Sequence, residues 1–253
     1  MKFDENFNKW IEQVKQPFTG WDFSFITETG RVKSEPLHWS YGSLALQLMN
    51  KASSMLDMGT GGGEFLSNLY PFPPQICATE GYKPNFPIAK KRLEPLGVSV
   101  LAIEEDNKLP FIHEEFDLVI NQHESYDPKE VLRILKSDGF FLTQQVGGKD
   151  CLEINNSLGA PIPNDFLHWN LEYAVNELKN SGFQILKAEE AFPFQRFYDV
   201  GALIYYLKAI PWQITDFSFE SYEENFYKIH QTIEEKGYFD VKQHRFMILA
   251  GKR

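Results

Sequence analysis

The stretch of sequence with the clearest chemical meaning is a glycine-rich segment that follows a short apolar run. It reads LDMGTGGG over residues 56–63, so that Asp57, Gly59, Gly61 and Gly63 occupy alternate positions. A strand that ends in glycines and continues into a helix turns backbone N–H groups and a helix N-terminus toward a ligand, with no Cβ in the way. The loop Asp57–Gly63 is therefore a candidate cofactor site.

The spacing of the glycines distinguishes two kinds of cofactor loop. A dinucleotide-binding fingerprint has the form G-x-G-x-x-G, and its third glycine would fall at Glu64. Because that residue is a glutamate, the dinucleotide pattern fails. The pattern that is present is D-x-G-x-G-x-G.

Four segments in the same order and spacing resemble class I S-adenosylmethionine-dependent methyltransferases, of the bacterial-type branch that acts on small molecules. The loop resembles the family's motif I, and the strand Gln75–Glu80 ends in an acid about twenty residues beyond it. Residues 109–119 resemble an LPF…FD(L/V)V block, and Glu130–Leu142 resembles the family's helix-to-strand passage. The resemblance covers about Ser54 to Val146.

This resemblance implies S-adenosyl-L-methionine as cofactor and S-adenosyl-L-homocysteine as product. In the family, the acid that ends the second strand accepts the ribose hydroxyls, and this role carries over to Glu80. An acid after the third strand lies near the adenine amino group, and Glu105 and Asp106 both fit that position. The expected cofactor-binding residues are Asp57, Gly59, Thr60, Gly61, Gly63, Glu80, Gly81, Glu105, Asp106 and Asn121.

The chemistry is expected at the end of the fourth strand, Asn121–Glu124, because ligands of doubly wound sheets lie beyond the carboxyl ends of the strands. Methyl transfer is an in-line displacement, so the protein mainly aligns a nucleophile and, where needed, removes its proton. A neutral imidazole suits that task near pH 7. We predict His123 as general base with Glu124 orienting it; the alternative is that His123 caps backbone groups or lines the cofactor wall.

Candidate acceptor-binding residues lie before the first strand, at the end of the fifth strand and in an aromatic-rich insertion. They are Trp39, Tyr41, Gln144, Arg196, Tyr205 and Tyr206. Aromatic density of this kind suits a small, partly apolar molecule. Each also has a structural alternative: the aromatic residues could pack the core, Gln144 could satisfy a turn, and Arg196 could pair with an acid such as Asp199.

Strand and helix patterns alternate through the middle of the chain, which predicts parallel βαβ units. The expected fold is α/β, with a seven-stranded, mostly parallel Rossmann-like sheet whose last strand is antiparallel. We predict one domain over residues 1–253. It comprises an N-terminal helical cover (1–52, with helices at Phe3–Val14 and Tyr41–Asn50), a cofactor-binding core (53–190), a helical lid insertion (191–239) and the final strand (240–253).

Composition narrows the class of partner. The net charge of −10 disfavours nucleic acid, whose binding draws on Lys and Arg. The two isolated cysteines and the scattered histidines do not form the pattern of a metal site. We also expect no membrane span and no signal peptide, because the sequence lacks the apolar run that either would need. We therefore expect a cytoplasmic enzyme of unknown oligomeric state that methylates an N or O atom of a small molecule. The alternatives are an rRNA or tRNA base methyltransferase and a non-catalytic S-adenosylmethionine-binding protein.

The sequence also argues against one branch of the family. Relatives that methylate amino groups of adenine or glutamine carry N-P-P-(Y/F) at the end of the fourth strand. Here Asn121 is followed by Gln-His-Glu. Adenine or glutamine N-methylation is therefore not predicted.

Overall fold

The computed structural model describes residues 3–13 and 23–252. Val14, where the sequence pattern ends the first helix, lies outside these ranges. The chain divides into two compact units. The core unit comprises His38–Gly147, Trp169–Glu190 and Arg245–Arg253, and the accessory unit comprises Met1–Leu37, Gly148–His168 and Ala191–His244.

The described part of the chain contains ten strands and ten α-helices, with a 3-10 turn at Glu94–Leu96. The strands are β1 (Val32–Ser34), β2 (Ser54–Met58), β3 (Gln75–Glu80), β4 (Ser99–Ala102), β5 (Phe116–Gln122), β6 (Leu135–Val146), β7 (Phe183–Ala191), β8 (Phe194–Phe197), β9 (Phe239–Lys242) and β10 (Arg245–Lys252). The helices are α1 (Glu5–Gln13), α2 (Ser24–Thr27), α3 (Tyr41–Met49), α4 (Glu64–Ser67), α5 (Phe86–Leu93), α6 (Pro128–Ile134), α7 (Leu152–Leu158), α8 (Leu171–Asn180), α9 (Val200–Ala209) and α10 (Phe219–Lys236).

The core unit is built on a seven-stranded sheet with the strand order β4-β3-β2-β5-β6-β10-β7. The pairs from β4 to β6 are parallel, whereas β10 runs antiparallel to β6. The predicted fold class is therefore confirmed. Strand order reverses between β2 and β5, and there Met58 pairs with Thr79 on one side and with Asn121 on the other. The carboxyl ends of β2, β3 and β5 consequently meet at one edge of the sheet.

The strands of this sheet could be predicted from the sequence because their residues are buried on both faces. All five residues of β2 are buried, because helices cover both faces of a parallel sheet and strands in it become nearly unbroken apolar runs. Its Leu56 belongs to a cluster with Val119, Phe141 and Phe246. At the start of α6, the Asp127 carboxylate accepts hydrogen bonds from the amides of Lys129 and Glu130, which fixes the residue at which the helix begins.

The accessory unit contains a three-stranded antiparallel sheet with the order β1-β8-β9. Within the insertion predicted to be a helical lid, 191–239, strand β8 accompanies the helices α9 and α10. Likewise, residues 240–242, assigned in the sequence to the final strand, belong to β9. In β8 the buried Gln195 and Phe197 alternate with the more exposed Phe194 and Arg196, which is the period of a strand.

The helices of the accessory unit follow ordinary start signals. The Asp199 carboxylate caps α9 by accepting a hydrogen bond from the Ala202 amide at 2.8 Å. Helix α10 was not predicted, although Phe226, Ile229 and Ile233 bury one face at helical spacing. Among the described helices, none is long and apolar enough to span a bilayer.

Candidate active site

Three glycines of the loop between β2 and α4 adopt left-handed backbone conformations. The φ angles are +74° at Gly59, +63° at Gly61 and +79° at Gly63, a region that side chains with a Cβ rarely enter. A Cβ at Gly59 would overlap the Glu124 side chain, whereas nothing lies within 4 Å of the position a Cβ would take at Gly61. The loop is therefore shaped by backbone requirements, and at Gly61 it leaves open space for a ligand.

Asp57 lies near the end of β2, directly before this loop, and is buried. Desolvation raises the pKa of its carboxyl group to about 6, and the charge of Glu80 contributes to the rise. The nearby Thr60 hydroxyl opposes this rise in pKa. A carboxylate held in this way favours a nearby cation, since a positive charge would offset its desolvation.

Glu80 is the last residue of β3, the strand beside β2, and is also buried. Its Oε1 accepts a hydrogen bond from the Tyr82 amide at 2.7 Å. Burial raises the pKa of the Glu80 carboxyl group, while bonds from the amides of Tyr82, Gly61 and Gly81 lower it. These amides hold the carboxylate beside the glycine loop, and the role of Glu80 as the ribose-binding acid stays a prediction.

Glu124 extends over the same loop from the segment after β5. Desolvation, followed by the charges of Asp106 and Glu80, raises the pKa of its carboxyl group to about 7. The Ser125 hydroxyl donates to Asp106 and lies 3.4 Å from Glu124 Oε1. Together with Asp57, these carboxyl groups create a region of negative potential around the loop, with Glu124 packed against Gly59.

The two acids after β4 differ in environment. Asp106 is partly buried, hydrogen-bonded to Ser125, and desolvation raises the pKa of its carboxyl group. Glu105 is exposed. Only Asp106 therefore faces the cluster of carboxyl groups.

His123 is joined to the strand beside it through Gln144. Its backbone N–H donates to the Gln144 carbonyl at 2.8 Å, and its Nε2 lies 3.3 Å from Gln144 Nε2. The Gln144 side-chain oxygen in turn accepts from Trp39 Nε1–H at 2.8 Å. Among the described contacts, His123 bonds to Gln144 and not to Glu124, which the sequence predicts as its orienting partner.

The surroundings of His123 favour the neutral form of its imidazole. Desolvation by the surrounding protein, and then the positive charge of Arg245, lower the pKa of its imidazole to about 3. The residue remains exposed to solvent, which weakens the desolvation, but both influences act in the same direction.

Asn121 and Tyr41 serve the packing of the sheet. The Asn121 side chain is fully buried; its oxygen accepts from Thr143 and Gln145, and its nitrogen lies 3.4 Å from the Met58 carbonyl. The Tyr41 hydroxyl donates to the Asn121 carbonyl at 3.0 Å and so fixes α3 to the sheet. Neither side chain presents a polar atom to the space above the loop in these bonds.

Comparison with known proteins agrees with this arrangement. Residues 56–143 match the family model described as a methyltransferase domain. Residues 56–143 therefore form a methyltransferase domain with a Rossmann-like fold. The family uses S-adenosylmethionine in general, and the residues present fit it: open space at Gly61, a fixed carboxylate at Glu80, and acids able to balance a sulfonium and an ammonium group.

Solved structures share the fold at low sequence identity. A Bacillus halodurans protein described as a candidate methyltransferase is 17% identical, with a TM-score of 0.57 over 83% of this chain and 99% of its own. An S-adenosylmethionine-dependent methyltransferase from Aquifex aeolicus is 14% identical, with a TM-score of 0.51 over the whole of both chains. The cyclase SpnF is 16% identical, with a TM-score of 0.53 over 83% and 80%. No curated protein is similar enough in sequence to count as a relative.

Three predicted acceptor residues lie in the accessory unit, outside the methyltransferase sheet. Arg196 forms a bidentate pair with Asp240 at 2.7 and 2.8 Å and lies 3.5 Å from the centre of the Tyr238 ring. Asp199, suggested by the sequence as its partner, instead pairs with Arg31 at 2.5 and 2.8 Å. Tyr205 and Tyr206 are buried within this unit.

The methyltransferase domain also uses residues that sequence reasoning missed. Arg92 on α5 donates to the Gly62 carbonyl and to Glu64, and so fixes the glycine loop from outside. It lies in a run of three basic residues in the last turn of α5. Ser125 contributes a hydrogen bond to Asp106, and Arg245 places its positive charge near His123. Both come from segments distant in sequence, for which there is no local signal.

Proposed function

We propose that this protein transfers a methyl group from S-adenosylmethionine to an N or O atom of a small-molecule acceptor and releases S-adenosylhomocysteine. The observation that carries the proposal is the pairing of the D-x-G-x-G-x-G loop after β2 with the fixed carboxylate of Glu80 at the end of β3. A carboxylate in this position can accept hydrogen bonds from the ribose hydroxyls. Glycines allow the backbone of the loop to approach the cofactor closely.

Each part of the site has a task in this proposal. Glu80 accepts the ribose hydroxyls, and Asp106 rather than Glu105 accepts from the adenine amino group, because only Asp106 faces the cluster. Asp57 and Glu124 balance the positive charge at the methionine end of the cofactor. The loop residues Gly59, Thr60, Gly61 and Gly63, together with Gly81, supply close backbone approach.

The proposed chemistry is mainly alignment and charge. The cofactor supplies an electrophilic methyl carbon, so this chain's residues must hold the acceptor in line and take up its proton where it has one. The pKa of about 7 makes the Glu124 carboxyl group suited to that proton transfer at neutral pH. His123, predicted as the base, has a lowered pKa and its Nε2 faces Gln144, so proton removal is assigned first to Glu124.

A small acceptor is favoured over RNA. The chain carries 35 acidic against 25 basic residues, and the methyltransferase site itself is lined with carboxyl groups. Phosphate backbones would meet repulsion there. Trp39 and Gln144 remain candidate acceptor contacts beside His123, and a role for Arg196, Tyr205 and Tyr206 in acceptor choice stays a prediction.

Titration calorimetry with S-adenosylhomocysteine tests whether the glycine loop and Glu80 bind the cofactor. Glu80→Ala should weaken binding at least tenfold, because charge-assisted hydrogen bonds to a ribose contribute about 1.5–3 kcal/mol each. Glu94→Ala is the matched control, since Glu94, in the 3-10 turn after α5, forms an exposed ion pair with Lys90. Unchanged affinity in folded Glu80→Ala protein, or tighter binding of NADH than of S-adenosylmethionine, would overturn the proposal.

A further inference from the structure

The bonds around Gln144 determine which nitrogen of His123 carries the proton. Trp39 Nε1–H can only donate, so the atom of Gln144 that faces it at 2.8 Å must be the oxygen. The Gln144 NH₂ group then faces His123 Nε2 at 3.3 Å and can only donate. His123 Nε2 must therefore accept, and in a neutral imidazole the proton lies on Nδ1.

The backbone conformation of His123 also helps to fix the position of its imidazole ring. His123 has a φ of +61°, an uncommon conformation for a residue with a Cβ, and its N–H is bonded to the Gln144 carbonyl. Such a conformation persists where the surroundings over-determine it, and it is frequent at functional sites. Among the residues that the structure describes, none bonds to His123 Nδ1, and the residue is exposed to solvent.

Charge around the ring differs from charge around the glycine loop. Arg245, at the start of β10, is the charged group close enough to affect His123, whereas Glu124, Asp106 and Glu80 act on one another over the loop. An exposed N–H donor beside a guanidinium favours a negatively charged oxygen. The acids, by contrast, favour the cationic end of the cofactor.

We propose that His123 is a hydrogen-bond donor that binds an anionic oxygen through its Nδ1–H, with Gln144 and Trp39 as positioning residues and Arg245 as the supporting cation. This proposal rests on the proposed function only for the source of the oxygen. The group that His123 binds is a carboxylate, and it belongs either to the methionine end of the cofactor or to the acceptor. The assignment gives His123 a binding role in place of proton removal.

Nuclear magnetic resonance of the ¹⁵N-labelled full chain tests the proton position without any activity measurement. His123→Gln assigns the ring signals, and the wild-type spectrum should show a protonated Nδ1 and an unprotonated Nε2. Gln144→Glu replaces the donor with a carboxylate, so Nε2 should gain a proton. Gln122→Glu adds the same charge to the neighbouring residue and should leave Nε2 unprotonated.

Trp39→Phe provides a second variant should Gln144→Glu not fold. It removes the donor that orients the Gln144 amide, and the protein should then show a mixture of the two tautomers. A wild-type proton on Nε2, or an Nε2 that stays unprotonated in folded Gln144→Glu, would overturn the proposal.

Titrations followed at the His123 Nδ1 signal identify the anion. A shift with S-adenosylhomocysteine alone assigns the site to the carboxylate of the cofactor; a shift with benzoate added to the saturated protein assigns it to the acceptor. Benzamide, the neutral control, should cause no comparable shift, and Arg245→Gln should reduce the response. If neither carboxylate shifts the signal, or benzamide shifts it equally, the anion site is wrong. Failure to bind S-adenosylhomocysteine at all would instead contradict the proposed function and leave the proton position to stand by itself.

Discussion

At the residue scale, the carboxyl groups around the glycine loop are held at a cost to stability. Burial raises the pKa of Asp57 to about 6 and that of Glu124 to about 7, so both are less favourable ionised in the folded chain than in the unfolded chain. Sites that bind a charged ligand often retain such groups, because the ligand supplies the missing opposite charge. Their stability cost is therefore a measurable sign of function.

Glu124→Gln should stabilise the protein at pH 8 and have much less effect at pH 5. A raised folded pKa contributes stability that is present below the ordinary value near 4.5 and is lost as pH rises toward about 7. A neutral glutamine avoids that loss, which is on the order of 1–3 kcal/mol. Thermal unfolding at both pH values measures the effect.

The matched control is Glu94→Gln in the exposed 3-10 turn after α5, which should show little difference between the two pH values. Glu124→Gln should also weaken S-adenosylhomocysteine binding at pH 8. An equal change in melting temperature at pH 5 and pH 8 would contradict the assigned environment of Glu124.

Asp106 and Glu105 form a natural pair of variants. Asp106→Asn should weaken S-adenosylhomocysteine binding about tenfold, because a charge-assisted bond to the adenine amino group becomes neutral. Glu105→Gln should leave affinity within about twofold, since that side chain is exposed to solvent. Calorimetry distinguishes them, and the reverse order of effects would show that Glu105 contacts the adenine.

The position of a residue in the fold could be predicted where local chemistry dictates it, whereas the ligand role of each residue stays a prediction. The glycines of the loop could be predicted because alternate left-handed positions require them, and Glu80 because a strand end has a defined place at the sheet edge. The partner of His123 could not be predicted, since Gln144 is reached only through the pairing of β5 with β6. The choice between two acids after β4 likewise depends on which one Ser125 contacts.

At the element scale, β3 occupies the residues that the sequence predicts, Gln75–Glu80, and β2 covers the short apolar run before the glycine loop. Strands buried on both faces are short apolar runs bounded by turns, and this signal is local. The strands β1, β8 and β9 give a weaker signal, because they are only three or four residues long and pair across distant parts of the chain. Their pairing depends on the packing of the accessory unit.

An ion pair at the N-terminus of α9 should be a principal stabilising contact of the accessory unit. The Arg31 and Asp199 side chains are only 11% and 5% exposed, and Arg31 also lies over the rings of Trp10 and Phe25. Arg31→Ala leaves a buried carboxylate without its cation and should cost about 3–5 kcal/mol. Urea unfolding measures this loss.

Arg196→Ala is the control for that variant. Arg196 makes a similar bidentate pair with Asp240, but its side chain is 37% exposed, so solvent screens the pair and little stability should be lost. Equal destabilisation by the two substitutions would contradict the argument from burial.

At the scale of the whole molecule, fold and function are separate questions. Each unit is assembled from three separated segments of the chain, and the methyltransferase sheet belongs to one of them. A sheet of this kind supports more than one reaction, as the similarity to a protein named as a cyclase illustrates. The site around Asp57, Glu80 and Glu124 therefore carries the functional argument.

The most direct test of the central claim follows a labelled methyl group. The full chain is incubated with S-adenosylmethionine labelled in its methyl group. The acceptor is either a mixture of small metabolites that pass through a dialysis membrane or purified RNA. We predict that label enters the metabolite fraction and not the RNA, and that Glu80→Ala slows this transfer at subsaturating cofactor while Glu94→Ala does not. Label found only in RNA, or tight cofactor binding with no transfer to either fraction, would contradict the account.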